Sequence, residues 1–164
     1  MTSRRITREE MVEQSVTDYL RNAIFNERQY PAARVELRDA FVESEFEGPL
    51  DKNYLAIGFN FDEGGVPAEM GSDLIFRQYV IEVWVIGLSA QEGRNLANAV
   101  RDVMEAEAVV PLKDITQPGA PVIDHLLVDP VRAQRQPVPE PKPWQEFLWV
   151  VTIPVIDEYF ARSA

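Results

Sequence analysis

The run Phe147-Leu148-Trp149-Val150-Val151-Thr152-Ile153-Pro154-Val155-Ile156 limits the fold more than any other segment. It is apolar at nearly every position, whereas a strand with one face in water alternates apolar and polar residues. A strand that is apolar on both sides needs cover on both, from its own helices or from another chain. Residues 79–86 form a second long apolar strand.

A chain of 164 residues fits a single α+β domain spanning 1–164, with one core. Its apolar fraction of 46% suits a packed protein rather than a disordered one. The formal charge of −11 makes it a poor general binder of nucleic acid, because phosphate binding needs clustered Lys and Arg. The charge serves solubility on one reading; on another it forms an acidic wall that DNA slides past. Cysteine is absent, so disulfides and thiolate metal sites are excluded. No stretch approaches the ~20 apolar residues of a membrane span. Residues 1–5 lack the apolar core of a secretory signal, so export by the usual route is not expected.

Thr7-Arg8-Glu9-Glu10 is a capping box, with a hydroxyl N-cap and Glu three residues later. Helical spacing follows it and predicts a helix over 8–27, ended before Pro31. Residues 34–42 read as a short strand and 53–61 as another. Asp62-Glu63-Gly64-Gly65-Val66-Pro67 opens a loop over about 62–72. The first long strand spans 74–88, with Tyr79, Ile81, Val83 and Val85 on one face. Gln78, Val80, Glu82, Trp84 and Ile86 share the other. Ser89-Ala90-Gln91-Glu92 is a second capping box, and Gly93, Leu96, Ala97, Val100, Val103 and Met104 then mark one face of a helix. The chain reads as loop after Pro111. A strand is expected over 122–131, with Ile123, Leu126 and Val128 inward. The loop over about 132–143 carries a stiff proline run, 137–143, which joins it to the last strand. The expected architecture is α+β, a mainly antiparallel sheet of four to five strands packed by two helices. Pro154, which has no N–H for a ladder, places the end of the last strand at or beyond a sheet edge.

Nothing in this chain reads as a catalytic constellation. His125, the only histidine, has no second histidine or cysteine for a metal site and no nominated nucleophile. Asp62-Glu63, Glu9-Glu10 and Asp157-Glu158 lack the ligand series of a calcium loop and read as solvated charge. Gly64-Gly65 lacks the Gly-Lys-Ser/Thr ending of a phosphate loop. The basic cluster at Arg4, Arg5 and Arg8, like Arg132, Arg135 and Lys142, also reads as solvated charge. Neither a cofactor nor a metal is expected. Trp84 and Trp149 read as core. Trp144, at the end of the proline run, reads equally as an interface aromatic.

The order of elements resembles the tail terminator (tail completion) proteins of long-tailed bacteriophages. The matching segments are the capped helix from Thr7, the strand 76–87, the helix from Ser89 to Ala106 that follows at once, and the strand 144–155. The resemblance covers most of the chain as a pattern of elements and carries no catalytic signature. It implies a virion protein of the tail or neck, assembled in the host cytoplasm, that forms a ring, usually sixfold, on the last ring of tail tube subunits. Such a ring stops tube polymerisation and presents the surface that head-completion proteins bind. Its expected partners are itself, the tail tube protein, a neck protein, and DNA passing through the lumen without specific binding. A ring needs heterologous contacts. The candidates for them are the doubly apolar strands and the stiff loop with Pro139, Pro141 and Pro143, together with Trp144, Arg132, Arg135, Gly64 and Gly65.

A head-completion or stopper protein is the neighbouring reading, distinguished by its partner. From other classes come a small α+β ligand-binding or enzymatic domain, built around the Asp124-His125 neighbourhood, and a regulatory module whose sheet edge accepts a partner strand.

Overall fold

The computed structural model describes residues 6–61, 66–67, 73–106 and 109–160. Its frame is a ribbon of two long strands, β4 (Leu74–Ile86) and β8 (Leu148–Phe160), paired antiparallel from Leu74↔Phe160 to Ile86↔Leu148. On one side of the ribbon β2 (Asn53–Phe61) runs antiparallel to β4, and β1 (Val35–Arg38) lies parallel to β2. The two-residue β3 (Val66–Pro67) also pairs with β4. On the other side the edge of β8 is shared. β6 (Val122–Val128) pairs with it at Leu127 and Val128, and β7 (Arg132–Arg135) takes over from Thr152 to Trp149. β5 (Val109–Lys113) completes the sheet against β6, giving the order β1-β2-β4-β8-β6-β5. The fold is α+β, with a mostly antiparallel sheet and two helices, as the patterning predicts.

Helix α1 (Arg8–Asn22) starts where the sequence says it should. Thr7 Oγ1 accepts the Glu10 N–H at 3.2 Å, and the Glu10 carboxylate accepts the Thr7 N–H at 2.8 Å. Residues 23–27 continue it as a π-helical turn, so the predicted span of 8–27 holds with a wider last turn. Helix α2 (Ala90–Glu105) is capped by Ser89, whose Oγ accepts the Glu92 N–H at 3.1 Å. Gly93, Leu96, Ala97, Val100, Val103 and Met104 are all buried, as their spacing requires.

Both helices cover the same face of the sheet. Val12, Val16 and Leu20 of α1 and Leu96 and Val100 of α2 form one core with Ile81, Val83, Val85, Val151, Ile153 and Val155. Each such fully buried aliphatic side chain contributes roughly 1.5–3 kcal/mol. Polar contacts fix the layers: the Lys113 N–H donates to Ser15 Oγ at 2.9 Å, and the Leu88 N–H donates to the buried Asn53 Oδ1 at 2.7 Å.

Several sequence expectations are corrected. Among the described residues the sheet has eight strands, one of them the two-residue β3, rather than four or five. Residues 112–113, which read as loop after Pro111, instead complete β5, which stands at the sheet edge, where a proline costs least. Arg132–Arg135 is a strand rather than the start of a loop, held by the apolar β8 beside it despite its own polar sequence. The predicted strand over 34–42 ends at Arg38, and residues 43–46 form a 3-10 turn. Ile123 is exposed, not core: it is three residues from Leu126, and period-two alternation puts it on the opposite face. Pro154 does not mark a sheet edge, for it pairs with Val80 of β4 within the centre of the sheet. Its carbonyl accepts the Asp129 N–H at 3.0 Å, so its nitrogen faces the same side, where β6 has ended and β7 has not begun. No ladder donor is lost there.

The β4–α2 corner depends on missing side chains. A Cβ on Gly87 would sit 2.7 Å from Gly93 Cα, closer than any backbone carbon tolerates. Gly87→Ala is therefore expected to cost about 1–3 kcal/mol in thermal or denaturant unfolding. Gly58→Ala, whose Cβ would meet nothing nearer than 3.9 Å, is the matched control and should leave stability almost unchanged.

Candidate functional site

Among the described residues, the face of the ribbon opposite the helices is covered at one end. Ile86, Tyr54 and Leu148 on this face pack with Phe46 and Trp144 into a second, smaller core, joined by Phe41, Leu50 and Trp84. Trp84 and Trp144 stack with centroids 6.2 Å apart, and Phe41 lies 4.7 Å from the Trp144 ring. Segment 41–50 and the turn Pro143–Gln145 thus fold over the start of β8 and the end of β4.

Beyond that lid no described segment covers the outer face. Register places Leu127 opposite Ile156, Ile156 opposite Gln78, and Pro154 opposite Val80. Phe76 and Ile123 extend the same face along β4 and β6. Phe76 is 38% exposed, and Ile123 and Leu127 are each 49% exposed. Val80, Pro154 and Ile156 between them are half-buried, although neither helix touches this side. The result is an apolar patch across three strands, rimmed by Gln78, His125 and Glu158. A contiguous apolar surface with a polar rim is the usual mark of a contact with another macromolecule. The alternation in β4 carries the signal for Phe76. Leu127 could not be found from sequence, because only the β6–β8 register sets it beside Ile156.

The predicted contact residues separate. Trp144 is not at the surface: it is buried at 5% exposure within the chain's own aromatic lid, which uses it intramolecularly. Pro139, Pro141 and Pro143 are exposed, and Glu140 between them adopts a left-handed φ of 50°. Lys142 Nζ anchors this loop to Glu43 at 2.5 Å. Arg132 is exposed on β7, on the same face as the apolar patch. Arg135 is half-buried; it donates to the Glu146 carbonyl and lies 5.6 Å over the Phe147 ring. Gly64 and Gly65 lie outside the described residues, as do Arg4 and Arg5. Trp84 and Trp149, expected as core, are half-buried; Trp84 belongs to the lid and Trp149 packs against the main core.

Two residues read as solvated charge are the reverse. Asp157 is fully buried, and the Arg8 side chain is 8% exposed. Arg8 grips Asp157 with two hydrogen bonds, Nε to Oδ2 at 2.6 Å and a terminal nitrogen to Oδ1 at 2.9 Å. It also reaches Asp124 at 3.1 Å and lies 4.0 Å over the Tyr159 ring. Burial alone works against the charged guanidinium, but the hydrogen bonds and charges of Asp157 and Asp124 hold its pKa above the ordinary arginine value. Arg77 pairs with Glu9 alongside it. These contacts clamp the start of α1 to the ends of β4, β6 and β8.

His125 is exposed on the rim of the patch, and its neighbour Asp124 is engaged by Arg8. Among the described residues no cluster of His, Cys, Asp and Glu could hold a metal ion, and no helix is long and apolar enough to cross a membrane. No protein-family model and no curated protein matches this chain.

Proposed function

We propose that the chain is a structural assembly subunit of the tail terminator kind: a ring, sixfold by resemblance, that caps a tail tube, stops its polymerisation and offers the joining surface for a neck protein. The bare apolar face formed by Phe76, Ile123, Leu127, Pro154 and Ile156 carries this reading. The long ribbon beneath it is rigid, being hydrogen-bonded over its whole length. A stiff surface of this sort suits repeated contacts between identical copies, in which a patch on one copy meets a different patch on the next. The exposed proline loop and Arg132 offer a second surface for the tube or the neck protein.

Capping would be geometric. One face of the ring would copy the tube's own contact surface, and the other would offer no seat for a further tube ring. An acidic lumen would let DNA pass without tight phosphate contacts; a pore lined by neutral or basic residues would remove that part of the proposal. A stopper on the head side remains the neighbouring form of the same reading and differs by its partner.

Adding the purified chain to polymerising tail tube protein tests the proposal. The expected result is tubes that stop lengthening, with the chain bound at one end only. Tubes that grow to the same length with and without it would contradict the terminator role.

A further inference from the structure

Two short strands have an edge that no described segment pairs. β1 bonds to β2 alone, and β7 bonds to β8 alone, because β5 reaches only as far as Leu127 of β6. The backbone groups on these edges follow from the bonds on their other sides. The Asn53 N–H donates to the Arg34 carbonyl at 2.9 Å, so Arg34, Glu36 and Arg38 turn their backbone to β2 and Leu37 turns its N–H and C=O outward. Val35 also faces outward, but its N–H is already bonded to the Pro31 carbonyl at 3.0 Å. On β7 the Gln136 N–H donates to the Leu148 carbonyl at 2.9 Å, which turns Arg132 and Gln134 to β8 and Ala133 and Arg135 outward. An unpaired row of such groups is a template for another strand.

The two edges fit each other. Leu37 and Ala133 both pack towards the helix-covered core, and Arg135 stands opposite Trp149, which does the same. The outward groups of both edges therefore belong to residues on one face, and joined strands would keep the helices of both copies on the same side. Within a chain β1 and β7 run in opposite directions. Rotation about an axis along the strands, as in a ring, sets β7 of one copy antiparallel to β1 of the next. β7 carries two arginines and no carboxylate, whereas Asp39, 80% exposed, directly follows β1. Leu37 opposite Ala133 would set Arg38 against Arg132, a like-charge pair. Leu37 opposite Arg135 sets Arg38 against Gln134. It also sets Pro137, which has no N–H, against Val35, whose N–H is taken, so the pairing ends there without a stranded donor. We infer that β7 of one copy pairs antiparallel with β1 of the next, Arg135 opposite Leu37, so that the sheet runs on across the junction. The inference rests on the ring reading above. With four residues on each strand, the pairing sets register beside the contact of the outer face and does not replace it.

Disulfide trapping provides the test, since the chain has no cysteine of its own. Within one chain β1 and β7 lie four strand spacings apart, about 19 Å along the sheet, too far for a disulfide. Leu37→Cys/Arg135→Cys, oxidised in the full chain with tail tubes present, should therefore give a ladder of linked multiples on a non-reducing gel. Leu37→Cys/Arg132→Cys puts the second thiol on the opposite face and should give none. In a second arm, Ala133→Pro removes only an outward N–H, which an edge strand tolerates, and places its ring where the neighbouring strand must pass. It should keep its melting temperature and lose the ring-sized mass. Where the two arms disagree, or Ala133→Pro fails to fold, cross-linking decides. A ring-sized species with no cross-linking beyond the control overturns the inference and leaves the ring reading standing. A folded chain that stays monomeric at every concentration, with or without tail tubes, fails the ring reading, and the inference falls with it.

Discussion

Replacing Asp157 with alanine is expected to lower the unfolding free energy by about 3–5 kcal/mol, the usual cost of removing one partner from a buried ion pair. The size follows from what is left behind. The Arg8 guanidinium would remain 8% exposed, with its two shortest hydrogen bonds gone. Among the described residues Asp124, at 3.1 Å and 39% exposed, would be its one remaining carboxylate partner. For a chain of this length the melting temperature should fall by roughly 6–20 °C. Asp157→Asn, which keeps the shape but not the charge, should lose most of the same stability. Arg8→Met/Asp157→Leu removes both charges and should recover much of it, because a well-packed apolar replacement of a buried pair is often near neutral. Equal losses in the double variant and in Asp157→Ala would show that packing, not the unpaired charge, causes the effect.

The opposite pattern is expected on the outer face. Phe76→Glu/Leu127→Glu alters two exposed side chains on strands β4 and β6, so unfolding should shift by less than about 1 kcal/mol. Assembly should be lost. Each interface would gain two carboxylates in an apolar contact and lose aromatic and aliphatic area, a change of roughly 2 kcal/mol or more per contact. Around a closed ring the loss repeats at every junction. Solution mass, measured beside a thermal melt, separates the two effects. A well-folded variant that still assembles would move the contact to another surface, such as the proline loop.

Much of the fold was legible in short-range patterns. The two capping boxes mark both helix starts, helical spacing names the buried face of α2, and alternation over 79–85 names the buried face of β4. β2 runs over Asn53–Phe61 as its composition predicts. What stayed hidden depends on partners far along the chain. Arg8 cannot be told from Arg4 or Arg5 until Asp157, 149 residues away, is beside it. β7 has no apolar pattern of its own and forms because β8 offers an edge. Trp144 looked like a contact residue because the proline run precedes it; Phe41 and Trp84, which bury it, come from distant segments. The double apolarity of β8 was legible, but its cause is divided. Its inner positions meet the helices, its first outer position meets the aromatic lid, and Pro154 and Ile156 face outward without either.

The central claim is that this bare face is made for other copies of a ring. Light scattering of the purified chain across a concentration series tests it most directly. The account predicts a discrete species of ring size, or a monomer that becomes a ring only when tail tubes are added. A monomer at every concentration that ignores tail tubes would contradict it.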